Sequence, residues 1–139
     1  MRTKPKDLGT RYETARVARH WEAGLHAARL TEGGAADLGD LWIVAHPDGD
    51  GAEHGWIEEA KARANLNPHL TLHKAIGKAG HRRVLLAHKR LVDKGGKRRV
   101  PDGLAEVVSL APDVAERLLV AHEELRRQHP EFVARLWKE

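Results

Sequence analysis

Two carboxylates and one lysine have the types and the spacing that metal-assisted hydrolysis needs. Glu59 and Lys61 stand two residues apart in the segment 55–61, whose composition is typical of a β-strand. Because successive side chains of a strand alternate between its faces, Glu59 and Lys61 should share one face while Ala60 points away. Asp40 opens a second apolar segment, and from that neighbouring strand its carboxylate should reach the same face.

Such a group suits the hydrolysis of a phosphodiester bond. Two carboxylates can hold Mg²⁺, which prefers oxygen ligands and keeps several of its waters. A bound divalent cation polarises the phosphate and makes a water molecule more acidic. A lysine beside it can orient or deprotonate that water or stabilise the developing charge, and the sequence leaves these roles open for Lys61. We therefore expect Mg²⁺ as the cofactor, with Mn²⁺ able to replace it.

The Glu-x-Lys pattern alone is a weak signal, because solvent-facing strands often carry it. Its value here comes from its position, after an acid-led apolar strand and a turn and before a helix and a basic strand. Asp37 competes with Asp40 as the first carboxylate, since it stands only three residues earlier. Glu58 is predicted to point to the opposite face of its strand and therefore to lie outside the site.

Apolar segments and helix signals predict the elements that position these residues. The predicted strands are 25–31, 41–45, 55–61, 83–91 and 105–110. A turn-forming segment, 46–51, should join the second and third strands as a hairpin. The basic segment 94–99, which contains two glycines, is predicted to be a loop. Helices are predicted to begin at Thr10, Pro68 and Pro112, with an interruption of the last one at Pro130.

The first predicted helix carries a capping signal. Thr10 is a good N-cap residue, and Glu13 stands three residues later, at the capping-box spacing. The basic segment before it, 1–8, should form an arm outside the helix. Gly24 lies where a glycine commonly ends a helix. From this spacing alone, Glu13 is interpreted as the capping-box glutamate.

The order of helices and strands indicates an α/β fold, with a mixed central β-sheet flanked by helices. A length of 139 residues suits one domain with one core. We expect this domain to span 1–139, with 111–139 as a C-terminal helical segment. The apolar positions of that segment are most simply core, although some of them could form a homodimer contact instead.

The charge distribution says more than the net charge of +4. Between positions 61 and 99 there are twelve lysines or arginines against one acid, Asp93. Clustered cations gain from counterion release at nucleic acid, so this segment is either a phosphate-facing surface or a solvated one. The absence of cysteine excludes disulfides and thiolate metal sites. Without a long apolar segment or a secretory signal, we expect a cytoplasmic protein with no membrane association.

Three short motifs follow one another in the order acid-bearing helix, acid-led strand and Glu-x-Lys strand. They are Gly9-Thr10-Arg11-Tyr12-Glu13, Gly39-Asp40 and Trp56-Ile57-Glu58-Glu59-Ala60-Lys61. Together they resemble the PD-(D/E)XK nuclease superfamily, in an order most similar to archaeal-type Holliday junction resolvases and small phage nucleases. The resemblance implies a restriction-endonuclease-like fold and a metal-dependent endodeoxyribonuclease of DNA recombination.

Carried over position by position, the resemblance implies a role for each residue of the motifs. Asp40 and Glu59 would be metal ligands, and the carbonyl group of Ala60 would be a third. Lys61 would be the catalytic lysine. Glu13, on the first helix, would be the additional acid that supports the metal site.

The sequence also departs from the pattern of the resolvases. Ala60 stands where they often carry valine, Gly39 rather than proline precedes Asp40, and the second helix lacks a glutamine that some relatives have. These departures weaken the resemblance to the resolvases more than the resemblance to the superfamily as a whole.

The substrate that the resemblance implies is branched DNA, in particular a four-way junction. Such a junction has twofold symmetry and needs two cuts, so a homodimer would fit it. The candidate DNA contacts are Arg11, Arg63, His88, Lys89 and Arg90. The alternatives are a restriction-like or end-processing nuclease on the same fold, a basic module that binds nucleic acid without cleaving it, and a scaffold for an acidic protein.

Overall fold

The computed structural model describes residues 5–30, 39–44, 55–80, 83–94, 98–101 and 106–138. The chain divides into two compact units, Met1–Ser109 and Leu110–Glu139. This boundary lies one residue before the predicted C-terminal helical segment, 111–139. The predicted hairpin turn, 46–51, and the competing acid Asp37 lie outside the described residues.

The described part of the first unit contains two helices and six strands. In chain order they are α1 (Pro5–Glu22), β1 (His26–Arg29), β2 (Leu41–Val44), β3 (Trp56–Arg63), α2 (Pro68–Ala79), β4 (Arg83–Lys94), β5 (Arg98–Pro101) and β6 (Val107–Ser109). The second unit contains α3 (Pro112–Gln128) and α4 (Pro130–Trp137). Each of the five predicted strands therefore has a counterpart within a few residues of its predicted bounds, and each predicted helix also has a counterpart.

The strands of the first unit form one mixed sheet in the order β1-β2-β3-β4-β5, and β6 also pairs with β4. Strands β3 and β4 run parallel, and the other pairs are antiparallel. The connection between the parallel strands contains α2, because parallel neighbours need a crossover. The predicted α/β class with a mixed sheet is confirmed, and so is the antiparallel pairing of β2 with β3.

Apolar side chains pack on both faces of the sheet. The cluster on the face towards α1 comprises Tyr12, Leu41, Ala60 and Ala87. The cluster on the face towards α2 comprises Ile57, Ala75, Ala79 and Val84. Because neighbouring residues of β3 face opposite helices, Ile57, Glu59 and Lys61 share the α2 face, whereas Glu58 and Ala60 share the α1 face.

The start of α1 differs from the prediction. The helix begins at Pro5, so Thr10 lies inside it, and the Thr10 carbonyl accepts a hydrogen bond from the Thr14 hydroxyl. The capping-box interpretation is therefore wrong, and so is the predicted arm over residues 5–8, whereas residues 1–4 lie outside the described part of the chain. A proline in the first turn favours the observed start, because it lacks only an N–H that the helix does not use there. Gly24 does follow the helix in a left-handed conformation, with φ of +88°, as predicted.

Strand β5 lies partly inside the segment that was expected to be a basic loop. Arg98 and Arg99 pair with Lys94 and Asp93 of β4 through the antiparallel register. This segment lacks the apolar alternation that predicts a strand from sequence. Charged side chains are common on such outer strands, where they discourage pairing with other chains.

The second unit is a pair of helices. Val133 is buried between them, and the Trp137 indole donates a hydrogen bond to His122 Nε2 at 2.8 Å. Several apolar side chains expected in the core are instead exposed, namely Leu118, Leu119, Phe132, Leu136 and Trp137. The core interpretation is therefore wrong for these residues, which are 41–62% exposed. None of the helices in the described part of the chain is both long enough and apolar enough to cross a lipid bilayer.

Candidate metal centre

The pairing of β2 with β3 brings Asp40 next to Glu59. Leu41 is in register with Glu58, and the Asp40 backbone N–H donates to the Glu58 carbonyl at 3.1 Å. The Asp40 carboxylate in turn accepts a hydrogen bond from the Ala60 backbone N–H at 2.8 Å. Asp40 is thus fixed at both its main chain and its side chain, and it lies where the sequence predicted.

Lys61 stands between the two carboxylates. Its Nζ lies 3.2 Å from Glu59 Oε1 and 3.8 Å from Asp40 Oδ2. The side chain of Glu59 is 5% exposed, whereas those of Asp40 and Lys61 are 20% and 22% exposed. Three groups that are separated by up to 21 positions in the sequence therefore meet at one partly buried point. The predicted convergence of Asp40, Glu59 and Lys61 is confirmed.

A second lysine, which the sequence interpretation missed, reaches the same carboxylate. Lys78 Nζ, at the end of α2, lies 3.4 Å from Glu59 Oε1. The signal that could have found it is the helical spacing of α2. Ala75 and Ala79 form the buried face of the helix, so Lys78 must lie on its flank, beside the sheet.

Glu59 retains one oxygen atom suited to a cation. Its Oε2 is buried and has no hydrogen-bond partner among the described residues. A buried carboxylate oxygen without a partner is costly, since its hydration is lost and nothing replaces it. A divalent cation would supply the missing interaction, so the residues present fit the predicted ligand role of Glu59.

The environment of Asp40 opposes its charge. Burial raises the pKa of Asp40, and the negative charge of Glu13 raises it further. The hydrogen bond from the Ala60 backbone and the charges of Lys61 and Lys78 lower it, but they do not fully compensate. A carboxylate that is difficult to ionise in this way gains from a nearby cation, which favours its charged form.

Gly39 allows Asp40 to enter the sheet at this position. Its φ of +152° is a conformation that side-chain-bearing residues rarely adopt. A Cβ atom at this position would overlap Ile57 Cγ2 and would lie 3.8 Å from Glu59 Oε2. The departure from proline before Asp40 therefore has a local reason, because only glycine fits against β3.

Glu13 lies on α1 within electrostatic range of Asp40, but its partner is another residue. Arg29 of β1 binds its carboxylate through Nη2 at 2.8 Å and Nε at 3.0 Å. Across the ranges that the structure describes, no three acidic or histidine side chains gather as a ready set of metal ligands. A cation between Asp40 and Glu59 would therefore take further oxygens from water or from a backbone carbonyl, such as that of Ala60.

Two open clefts lie on this side of the sheet. One, of about 410 Å³, contains Glu59 and Lys61 on the sheet side and Thr71, Lys74 and Lys78 on the α2 side. The other, of about 570 Å³, adjoins the first through the segment 63–67 and extends to His88 and Arg90. Glu59 thus lines a groove that also has positively charged side chains along its walls.

Comparisons with known proteins add no family. The sequence matches no protein-family model and no curated protein. The resemblance to PD-(D/E)XK nucleases therefore rests on the three short motifs and on the positions of Asp40, Glu59 and Lys61.

The predicted DNA contacts do not form one group. Lys61 and Arg63 of β3 are in register with His88 and Arg90 of β4, and this places the four residues on one face. Lys89 also borders the groove, but its Nζ lies 5.7 Å from the centroid of the Tyr12 ring, on the α1 face. The alternation of side chains along β4 separates Lys89 from its two neighbours.

Arg11 and His88 differ from cations that line up along a row of phosphates. Arg11 is exposed on α1. His88 Nε2 lies 3.1 Å from the Ser109 hydroxyl, and burial lowers the pKa of His88. Neutral His88 would contact a substrate as a hydrogen-bond donor or acceptor and not as a cation.

Glu58 belongs to a separate buried network on the α1 face. Its carboxylate accepts hydrogen bonds from Arg16 Nε at 2.9 Å and Nη2 at 2.8 Å, and His20 Nε2 lies 3.0 Å from Oε1. Burial raises the pKa of Glu58, but hydrogen bonds and positive charge from Arg16 and His20 outweigh it and lower the pKa overall. The prediction that Glu58 points away from Glu59 is confirmed, although the sequence interpretation missed its partners. Arg16 and His20 are spaced i and i+4, which places them on one face of α1.

Proposed function

We infer that this protein is an Mg²⁺-dependent DNA endonuclease of the PD-(D/E)XK type. The observation that carries the proposal is the contact of Lys61 Nζ with both Asp40 and Glu59, at 3.8 and 3.2 Å. A lone surface Glu-x-Lys pair would not bring a carboxylate from another strand into the same point. The unpartnered Oε2 of Glu59 adds a second argument for a cation at this position.

Asp40, Glu59 and the Ala60 carbonyl would hold the ion. A bound Mg²⁺ supplies charge to polarise a phosphate and to make a water more acidic, and Mn²⁺ can do the same. Lys61 lies close enough to both ligands to face the reacting phosphate, where its ammonium group stabilises developing negative charge. Glu13 acts from farther away, since its charge raises the pKa of Asp40 and so strengthens the demand for a cation.

The groove indicates the class of substrate. Lysine and arginine side chains along its walls suit the phosphates of nucleic acid, which attract cations without regard to sequence. We propose branched DNA, with the four-way junction as the first choice, because recognition by shape and phosphate contacts needs no base-reading element. A homodimer would present two such sites to the two strands of the junction that must be cut. We also propose that the protein acts in the cytoplasm.

The proposal is tested with labelled four-way junctions, flaps and linear duplexes. Wild-type protein should cleave the junction in Mg²⁺ and not in EDTA. Asp40→Asn should be inactive, and Lys61→Met should be slower by about 10²–10⁴-fold, the usual range for loss of a positioned catalytic group. Asp113→Asn is the matched control, because it removes the same charge from an exposed position on α3.

Two outcomes would contradict the proposal. Equal inactivity of wild type and Asp40→Asn on all three substrates would rule out the nuclease. DNA binding without metal-dependent cleavage would favour a basic binding module instead. Preference for linear duplex over junctions would contradict the choice of substrate but not the nuclease chemistry.

A further inference from the structure

Glu59 Oε1 is shared by two lysines. Lys61 Nζ lies 3.2 Å from this atom and Lys78 Nζ lies 3.4 Å from it, so both ammonium groups compete for one oxygen. The other oxygen of the same carboxylate has no partner among the described residues. In the described part of the chain, positive charge therefore contacts the Glu59 carboxylate at Oε1 but not at Oε2.

Two ammonium groups already act on these carboxylates. Lys61 contacts both Asp40 and Glu59, and Lys78 contacts Glu59. Lys78 also lies within electrostatic range of Asp40, because its charge lowers the pKa of that residue. A divalent cation between the carboxylates would bring two more positive charges, and repulsion would then favour the departure of one lysine.

Lys78 is the lysine that can leave. Lys61 projects from the middle of β3 and is only 22% exposed, whereas Lys78 projects from the last turn of α2 and is 38% exposed. A lysine side chain is a flexible four-carbon stem, so its ammonium group can move several ångströms without a change in the helix. Lys78 lines the same groove as Glu59, which leaves a path towards a substrate phosphate.

We propose that Lys78 is a second functional lysine that neutralises Glu59 in the metal-free protein and binds a substrate phosphate once a divalent cation occupies the carboxylates. This inference rests on the proposed function, since it requires the cation site. It assigns Lys78 a phosphate-binding role that is distinct from that of Lys61, which contacts both carboxylates. It also predicts that Lys78 weakens metal binding in the absence of DNA.

The test is a titration of the full chain with Mn²⁺ alone, followed by electron paramagnetic resonance, for wild type, Lys78→Met, Lys74→Met and Asp40→Asn. Lys78→Met should bind Mn²⁺ about fivefold more tightly than wild type, because a competing positive charge has been removed. Lys74→Met is the matched control, since Lys74 lies one turn earlier on α2 in the same groove. It should bind Mn²⁺ within about twofold of wild type, because among the described residues Lys61 and Lys78, and not Lys74, form ion pairs with these carboxylates.

A second measurement separates the phosphate role from a structural one. At saturating Mn²⁺, Lys78→Met should bind DNA more weakly than Lys74→Met and cleave it more slowly, although the metal site is filled in both variants. A residue that only holds the fold would lower metal affinity and cleavage together, and that result would overturn the inference. Unchanged Mn²⁺ affinity in Lys78→Met would also overturn it, provided that Asp40→Asn has lost the ion. If Asp40→Asn binds Mn²⁺ as wild type does, the proposed function itself fails.

Discussion

Arg16 and Glu58 form a two-pronged ion pair that is buried between α1 and β3. The two side chains are 7% and 0% exposed, and both guanidinium contacts are shorter than 3 Å. The pair lies on the opposite face of β3 from Glu59, so it fixes the strand that carries the candidate site. Its geometry links the stability of the fold to the position of the candidate site on β3.

Replacement of Glu58 by glutamine should destabilise the protein by about 3–5 kcal/mol, because buried Arg16 would lose its hydrogen-bonded counter-charge and keep only the Glu106 carboxylate, 3.9 Å from its Nη1. The measurement is the free energy of unfolding from urea titration at neutral pH. Arg19→Ala is the control, since that side chain is 69% exposed and its ion pair with Glu106 should contribute less than about 1 kcal/mol. A loss below about 1 kcal/mol in Glu58→Gln would show that the pair has little effect on stability.

The ion pair of Arg16 and Glu58 should also make the free energy of unfolding depend on pH. The pKa of Glu58 is lower in the folded protein than its ordinary value, so folding favours the ionised form. The resulting stabilisation is complete above the ordinary glutamate pKa of about 4.3, and it is lost as pH falls through the lower folded-state pKa. Unfolding free energies of wild type and Glu58→Gln should therefore converge as the solution is acidified below that value. A constant difference between the two proteins down to the end of the titration would contradict this explanation.

Asp40 should change the stability of the fold with pH in the opposite direction. Its pKa is raised in the folded state, so its favourable contribution is present below the ordinary aspartate pKa of about 3.9 and is lost as pH rises through the folded-state pKa. Asp40→Asn keeps the acceptor for the Ala60 N–H and removes the charge. At neutral pH it should melt at a higher temperature than wild type, and this advantage should vanish in acid.

Addition of Mg²⁺ should reverse this order, so that wild type melts at a higher temperature than Asp40→Asn. An ion that binds only the folded state at 100 times its dissociation constant stabilises it by about 2.7 kcal/mol. Wild type should therefore gain stability with Mg²⁺, whereas Asp40→Asn should not. An equal gain in both proteins would mean that the ion binds elsewhere.

Gly39→Ala should destabilise the protein by about 1–3 kcal/mol, because a Cβ would meet Ile57 in a backbone conformation that alanine disfavours. Metal affinity should fall as well, since Asp40 follows directly. Gly77→Ala is the matched control: it lies inside α2 with nothing within 4 Å of a Cβ, so it should stabilise the helix by about 0.5–1 kcal/mol. Equal effects of the two changes in thermal unfolding would contradict the account of Gly39.

The sequence predicted those parts of the site that depend on local periodicity. The apolar segment after Asp40 and the alternation in 55–61 each specify a strand, and one antiparallel pairing then brings Asp40, Glu59 and Lys61 together. The start of α1 was misplaced because Thr10 and Glu13 have the spacing of a capping box, while Pro5 offers an equally good first turn. Strand β5 was missed because its pairing with β4 involves the backbone of charged residues.

Lys78 and the partners of Glu58 could not be placed from local patterns. The contact of Lys78 with Glu59 depends on how the crossover helix packs against the sheet, and the sequence of α2 does not specify that distance. Glu58 was correctly assigned to the opposite face of β3, but its pairing with Arg16 spans 42 positions along the chain. Such contacts arise only when separate elements pack together.

The most direct test of the central claim is a crystal soaked in Mn²⁺ and measured for anomalous scattering. We predict a peak within about 2.0–2.5 Å of carboxylate oxygens from both Asp40 and Glu59, as expected for oxygen ligands of such an ion. Lys78 should at the same time have moved away from Glu59. A fully soaked crystal with no anomalous peak between the two carboxylates, and with Glu59 still bound to Lys61 and Lys78, would contradict the proposed metal centre.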